Sequence, residues 1–139
     1  MERENELVGA VGFSVMTIRP GDTTLAIGIG DLPIVATSYF VNLIESAALT
    51  AISEFLEAGE TTRLLRVELD AIDAVGIGAE IRATAKCSAL NGRELTFECD
   101  IYEGERHIVH AIMKRAAVER VSFLARTAAQ SFSSLKPLN

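Results

Sequence analysis

Residues 37–56 read TSYFVNLIESAALTAISEFL, and this stretch decides the fold because its apolar side chains recur at helical spacing. A helix that advances about 100° per residue gathers these side chains on one face. The members of this face are Val41, Ile44, Ala48, Leu49, Ile52, Phe55 and Leu56. Polar side chains such as Asn42, Ser46 and Thr50 fall on the opposite face. Glu45 is the only charged residue that falls in the middle of the apolar set.

Glu45 needs a special environment on this face, because burying an unpaired carboxylate costs several kcal/mol. The carboxylate must find a cation or a hydrogen-bond donor, stay protonated, or line a cavity. A structural ion pair with Arg115, Arg66 or a basic residue of a second chain is one interpretation. We favour a functional site, since buried ion pairs stabilise proteins only weakly and most cores avoid them.

Composition and charge limit the class of protein. The chain has 139 residues, 49% of them hydrophobic, which predicts one domain over residues 1–139. A formal net charge of -6 gives no basic field for nucleic acid. No apolar run reaches the roughly 20 residues that cross a bilayer, and the acidic start MERENE is unlike a secretory signal. We therefore expect a cytoplasmic protein with neither a nucleic-acid nor a membrane partner.

The rest of the chain has the alternating pattern of β-strands. Strands are predicted over residues 8–18 before the helix and over 65–71, 79–89, 93–101 and 107–118 after it. The side chains expected to face the core from the first strand after the helix are Leu65, Val67, Leu69 and Ala71. The last strand is apolar on both faces in its middle, which indicates a position inside the sheet. A short amphipathic helix follows, with its apolar side formed by Phe123, Leu124, Ala128 and Phe132.

Two cysteines, Cys87 and Cys99, are too few for a disulfide framework and match no zinc motif, so no metal site is expected. Alternation along their strands places both thiols in the core. We predict a three-residue loop, Leu90-Asn91-Gly92, with Gly92 in the left-handed conformation. This loop pairs Cys87 with Leu95 and keeps one face of the hairpin apolar.

The order of elements is one strand, a long helix and four antiparallel strands, which predicts an α+β protein with the hotdog fold. In this fold an antiparallel sheet of about five strands wraps around the long central helix. The short C-terminal helix is added at the end of the chain.

Resemblance to a known family begins at the start of the long helix. One stretch of this chain resembles the helix-entry motif of hotdog thioesterases related to fluoroacetyl-CoA thioesterase. It is Val35-Ala36-Thr37-Ser38-Tyr39-Phe40-Val41-Asn42-Leu43-Ile44-Glu45-Ser46-Ala47. The Thr-x7-Glu spacing is its most specific part. The similarity continues through Asn91-Gly92-Arg93-Glu94-Leu95 and the end of the last strand, Lys114-Arg115-Ala116.

The resemblance implies a homodimer that binds an acyl-CoA between its subunits and hydrolyses the thioester. Thr37 and Glu45 match two members of the family's catalytic triad, and Arg115 matches an arginine of its active-site region. The third member of the family's triad is a histidine. Its place is taken here by Leu69 or Ala71, depending on where a gap is placed when the two sequences are aligned. Coenzyme A would be part of the substrate, and no other cofactor is expected.

Glu45 is our candidate general base or nucleophile for this hydrolysis of a small acyl-CoA. Thr37 either contacts the thioester or only caps the helix. The residues expected to contact the substrate are Ser38, Tyr39 and Arg115. Arg115 is also a candidate for binding a CoA phosphate, together with three other basic residues, Arg93, Arg106 and Lys114.

The absent histidine leaves two alternatives open. His110 replaces it if the strands bring that side chain close to Glu45. Otherwise the chain is a non-catalytic hotdog protein that binds acyl-CoA or another small ligand without hydrolysing it.

Overall fold

The long helix and the five predicted strands are all present in the computed structural model, which describes residues 2–135. The four helices are α1 (Glu2–Leu7), α2 (Thr24–Ile27), α3 (Thr37–Ile52) and α4 (Arg120–Ser133). The five strands are β1 (Val11–Thr17), β2 (Glu60–Ala71), β3 (Glu80–Asn91), β4 (Glu94–Glu103) and β5 (Arg106–Glu119). Short 3-10 turns lie at Pro20–Asp22 and Ser53–Phe55.

The strands form one antiparallel sheet in the order β1-β3-β4-β5-β2. β5 therefore lies between two neighbours, which confirms the prediction made from its apolar middle. The two edges of the sheet are β1 and β2, and α3 packs mainly against β1 and β3. Each edge strand leaves one row of backbone donors and acceptors without a partner strand in the single chain.

The buried face of α3 differs from the predicted one. Its buried side chains are Phe40, Leu43, Ile44, Ala47, Ala48, Ala51 and Ile52. The face is centred on the alanines, because their small side chains let the sheet come close to the helix, and Leu49 consequently stays 39% exposed. Glu45 lies beside this face rather than in its middle, with 29% of its side chain exposed. The α-helix also ends at Ile52, since the chain tightens into the 3-10 turn that follows.

Gly12 is the point of closest approach between β1 and α3. A Cβ atom at Gly12 would lie 2.0 Å from the carbonyl oxygen of Ala47 and 2.5 Å from the backbone nitrogen of Ala51. In the two residues that follow Gly12, the carbonyl of Phe13 accepts a hydrogen bond from the Thr50 hydroxyl and the Ser14 hydroxyl donates one to Ser46. The edge strand is thus fixed directly on the helix that carries Glu45.

A bulge changes which residues of β2 face the core. The pairing of β2 with β5 shifts between Leu64 and Arg66. Thr62 and Leu64 point inward before the bulge, and Val67 and Leu69 point inward after it. The prediction was wrong for Leu65, which is 40% exposed, and for Ala71, which is also exposed. A prediction from strict inward-outward alternation fails here, because a bulge inserts one extra residue into the strand.

The β3–β4 hairpin also differs from the predicted register. Asn91 pairs with Glu94, so the loop has two residues, Gly92 and Arg93, rather than three. A register shift between Cys87 and Ala89 restores the apolar face, and Cys87 then lies opposite Phe97. Gly92 has a φ of 64°, as predicted for a left-handed glycine.

Both ends of the described chain are helical. α1 was not predicted, and its Leu7 is completely buried. The predicted C-terminal helix is present as α4, but its apolar side is largely uncovered, with Leu124 59% and Phe132 78% exposed. None of the helices within residues 2–135 is long and apolar enough to span a membrane.

Candidate active site

Glu45 forms an ion pair with Arg115, which reaches it from the inner face of β5. The distance from Arg115 Nη1 to Glu45 Oε1 is 2.6 Å. Arg115 is only 5% exposed, so the pair lies at the boundary between the core and the solvent. This arrangement is the structural ion pair with Arg115 considered above. The same pair also fixes the orientation of the carboxylate, which a functional role for Glu45 would require.

Thr62 of β2 completes this small polar cluster. Its hydroxyl accepts a hydrogen bond from Arg115 Nε at 2.9 Å, and its carbonyl accepts one from Nη2 at 3.2 Å. Thr62 is itself buried, at 8% exposure. Sequence analysis missed this residue because its predicted strand began three residues later. A polar residue at an inward position of the correctly placed strand would have been the signal.

The side chain of Glu45 also lines an open groove. The groove runs along the exposed side of α3, and its lining residues are Asn42, Glu45, Ser46, Leu49, Thr50 and Ser53. Oε1 is occupied by Arg115, whereas Oε2 has no hydrogen-bond partner within residues 2–135. A partly exposed carboxylate with one oxygen held by an ion pair and one without such a partner is suited to take a proton from water or to attack an electrophile.

Thr37, Ser38 and Tyr39 form the first turn of α3. Ala36 occupies the cap position and no side chain within residues 2–135 caps this helix, so the interpretation of Thr37 as a cap was wrong. Thr37 and Ser38 are exposed, and Tyr39 is half-buried. The helix start therefore presents a hydroxyl and backbone N–H groups together, an arrangement that favours negative charge.

Thr37 and Glu45 do not meet within one chain. They are eight residues apart on the same helix, which corresponds to about 12 Å along its axis. A single carbonyl group cannot touch both residues of the same chain. An extended substrate, or a second subunit, is needed to connect them.

The predicted phosphate-binding residues are mostly engaged elsewhere. Arg115 is buried against Glu45, Lys114 pairs with Glu94 at 3.2 Å, and Arg106 pairs with Asp73 at 2.6 Å. The Arg106 guanidinium also lowers the pKa of the Asp73 carboxyl. The structure thus gives Arg115 a role toward Glu45 rather than toward solvent.

The two histidines lie away from the Glu45 cluster. His107 Nε2 and His110 Nδ1 both contact the Asp100 carboxylate, at 2.8 and 3.0 Å. Asp100 and His110 alternate with the buried Cys99 and Ala111, so they lie on the face of the sheet opposite α3. Within one chain, therefore, His110 does not come close to Glu45, as its replacing the family's histidine would require.

Neither cysteine offers a reactive thiolate. Both are buried and unpaired, as predicted. Burial raises the pKa of Cys87, and burial together with the neighbouring Asp100 and Glu98 raises the pKa of Cys99 to about 12. Within residues 2–135, no group of three or more His, Cys, Asp or Glu side chains is placed to hold a metal ion.

Solved structures with the same architecture show which fold the chain adopts. The fluoroacetyl-CoA thioesterase FlK is 23% identical, with a TM-score of 0.81 over 88% of this chain and 95% of that one. A thioesterase superfamily member from Thermus thermophilus is 21% identical, with a TM-score of 0.81 over 92% of this chain and 96% of its own. A hot-dog-like protein from Thermanaerovibrio acidaminovorans is 15% identical, with a TM-score of 0.83 over 95% and 98%. These similarities confirm the predicted hotdog fold.

The family follows from the sequence itself. No curated protein sequence shows significant similarity to the chain. The family model described as fluoroacetyl-CoA-specific thioesterase matches residues 18–121, which include α3 and strands β2 to β5. The chain belongs to this thioesterase family, and the resemblance inferred from the Thr-x7-Glu motif is confirmed.

Proposed function

We propose that this protein hydrolyses small acyl-CoA thioesters and that Glu45 is its general base or nucleophile. The observation that carries the proposal is the Glu45 carboxylate, which is fixed through one oxygen by a buried arginine while its side chain stays 29% exposed and lines an open groove. Family membership supports the same reaction class. Coenzyme A is then a part of the substrate.

Two routes are open to Glu45. As a base, it takes a proton from water, the hydroxide attacks the thioester carbonyl, the C–S bond breaks and the thiol of CoA leaves as the acid forms. As a nucleophile, it attacks the carbonyl itself and expels CoA as the thiolate; water then cleaves the resulting anhydride to the free acid and the glutamic acid, whose proton balances the thiolate. Both routes place negative charge on the carbonyl oxygen. The hydroxyl of Thr37 and the backbone N–H groups of the first turn of α3 are our candidates to stabilise that charge.

Ser38 and Tyr39 are our candidates for further contacts with the substrate. Both belong to the turn that begins at Thr37, and the half-buried ring of Tyr39 offers an apolar surface beside two exposed hydroxyl groups. Arg115 acts through Glu45, because its buried guanidinium does not reach the solvent.

The test is thiol release from a panel of short, branched, aromatic and long acyl-CoAs. The proposal predicts turnover of the short members by the wild-type protein. A protein that releases no thiol from any member of the panel would contradict it.

We expect Thr37→Ala to lower kcat/KM by roughly 3- to 10-fold, the range for loss of one ordinary hydrogen bond. The loss is moderate because the backbone N–H groups of the turn remain. Steady-state kinetics on the best substrate measures it, and Thr37→Ser, which keeps the hydroxyl, is the matched control. Wild-type kinetics in Thr37→Ala would remove the residue from the mechanism.

We also propose a homodimer. The groove beside Glu45 is open in one chain, the helix start lies about 12 Å away along the axis, and neither sheet edge has a partner strand within residues 2–135. A second subunit that covers this region would enclose the acyl-CoA and protect an edge strand. Light scattering is expected to give twice the mass of one chain at micromolar concentration, and a stable monomer would contradict the proposal.

A second candidate function is non-catalytic binding of acyl-CoA. It is favoured by the apolar residue, Leu69 or Ala71, that stands where the resemblance places the family's histidine, and by the position of His110 on the other face of the sheet. This candidate predicts thermal stabilisation by acyl-CoA with no release of thiol.

A further inference from the structure

We infer that Thr62 is a positioning residue, which holds Arg115 in the one conformation that fixes the Glu45 carboxylate. This inference rests on the proposed function of Glu45 and extends it to a residue outside the Thr-x7-Glu motif. It is carried by three contacts to a single buried guanidinium: two from Thr62 and one from Glu45.

The geometry divides the Arg115 guanidinium into two edges. The edge formed by Nε and Nη2 is held by Thr62, through its hydroxyl at 2.9 Å and its carbonyl at 3.2 Å. The remaining nitrogen, Nη1, points to Glu45 Oε1 at 2.6 Å. The planar guanidinium keeps its donors in a fixed fork, so fixing one edge also fixes the direction of the donor on the other.

Burial makes the contribution of Thr62 important. Arg115 is 5% and Thr62 is 8% exposed, so water cannot easily replace the lost hydroxyl. Glu45 is the only carboxylate that pairs with Arg115 within residues 2–135. Without the hydroxyl, the long arginine side chain is held by one ion pair and one backbone contact, and the carboxylate gains freedom to move.

The position of Thr62 in β2 explains how the contact forms. Thr62 lies opposite Ala117, while Arg115 lies opposite Leu64, so the arginine side chain crosses diagonally to the neighbouring strand. The bulge of β2 follows directly after Leu64. Thr62 therefore faces the core on the same side of the sheet as Arg115, although residues beyond the bulge follow the opposite alternation.

The decisive variant is Thr62→Val, which removes the hydroxyl and keeps the shape of the side chain. We expect kcat to fall by about 10-fold with little change in KM, since a tenfold loss corresponds to about 1.4 kcal/mol, the size of one good hydrogen bond. Thr62→Ser, which restores the hydroxyl, is expected to recover most of the activity. Thr61→Val on the same strand is the matched control and should behave like wild type, because Thr61 alternates with the inward-facing Thr62 and none of the Arg115 hydrogen bonds within residues 2–135 goes to it.

A double-mutant cycle separates positioning from a general loss of stability. If Thr62 acts through Glu45, then Thr62→Val in a Glu45→Gln background causes no further loss of kcat. A structural readout independent of turnover is hydrogen exchange at Arg115 Nε–H, measured by NMR, which should become faster in Thr62→Val and not in Thr61→Val. If Thr62→Val does not fold, Thr62→Ala takes its place in the same cycle.

The outcomes distinguish this inference from the proposed function. Wild-type kcat in Thr62→Val, an additive loss in the Glu45→Gln background, or unchanged exchange at Arg115 Nε–H would overturn the role of Thr62 and leave the thioesterase proposal intact. A wild-type protein without turnover would overturn the proposed function, and the positioning role with it.

Discussion

Glu45→Gln is expected to lower kcat by about 10²- to 10³-fold, within the range for removal of a general base. Glutamine has nearly the same shape as glutamate, and its amide oxygen can still accept the hydrogen bond from Arg115. It cannot take a proton from water or attack a thioester. The fold and the binding of acyl-CoA should therefore remain, while turnover is lost.

The matched control for this variant is Glu54→Gln. Glu54 lies on the same stretch of chain but is exposed, in the 3-10 turn that follows α3. The substitution removes the same charge from the protein without touching the groove or Arg115. Equal turnover in Glu45→Gln and Glu54→Gln would show that Glu45 has no catalytic role and that its pairing with Arg115 is structural.

Gly12→Ala is expected to destabilise the protein by about 3 kcal/mol or more, at the upper end of the range for overpacking. The added methyl group would overlap the carbonyl oxygen of Ala47 and the backbone nitrogen of Ala51, which belong to a rigid helix. Either β1 or α3 must move, and both belong to the core. Chemical denaturation monitored by circular dichroism measures the change in the free energy of unfolding.

Gly21→Ala is the control for this substitution. A Cβ atom at Gly21 meets no atom within 4 Å, so the free energy of unfolding should change little. If Gly12→Ala and Gly21→Ala had the same free energy of unfolding, that result would contradict the close packing of β1 on α3. Because Ser46 and Thr50 contact β1 on this same helix, a displaced strand should also impair the groove beside Glu45.

The fold was predictable because its main signals are local. The apolar spacing of residues 37–56 identified the helix, and the apolar middle of residues 107–118 placed β5 inside the sheet. The errors arose where one residue changes the register. The bulge in β2 exposed Leu65, and the shift after Cys87 turned a predicted three-residue loop into a two-residue one. A bulge is fixed by tertiary packing, which alternation along one strand does not record.

The candidate site was predictable only in part. Glu45 was identified because a charge in the middle of the predicted apolar face is unusual, and Arg115 was among its suggested partners; the structure places Glu45 beside the buried face. The distance between Glu45 and Arg115 depends on how the sheet packs against α3, and the pattern of residues along the sequence does not specify that packing. Thr62 was missed because the predicted strand began too late, and His110 was retained because its face of the sheet was unknown. The first error concerns where a strand begins, and the second concerns which face of the sheet a residue occupies.

We propose that Glu45 catalyses hydrolysis of an acyl-CoA although the chain has Leu69 or Ala71 where the resemblance places the family's histidine. The most direct test is single-turnover thiol release from the best short acyl-CoA by wild type and Glu45→Gln, with binding measured in parallel by thermal shift. We predict equal binding by both proteins and thiol release that is rapid only in the wild type. Binding of acyl-CoA without thiol release by the wild-type protein would contradict the account and would identify the chain as a binding protein.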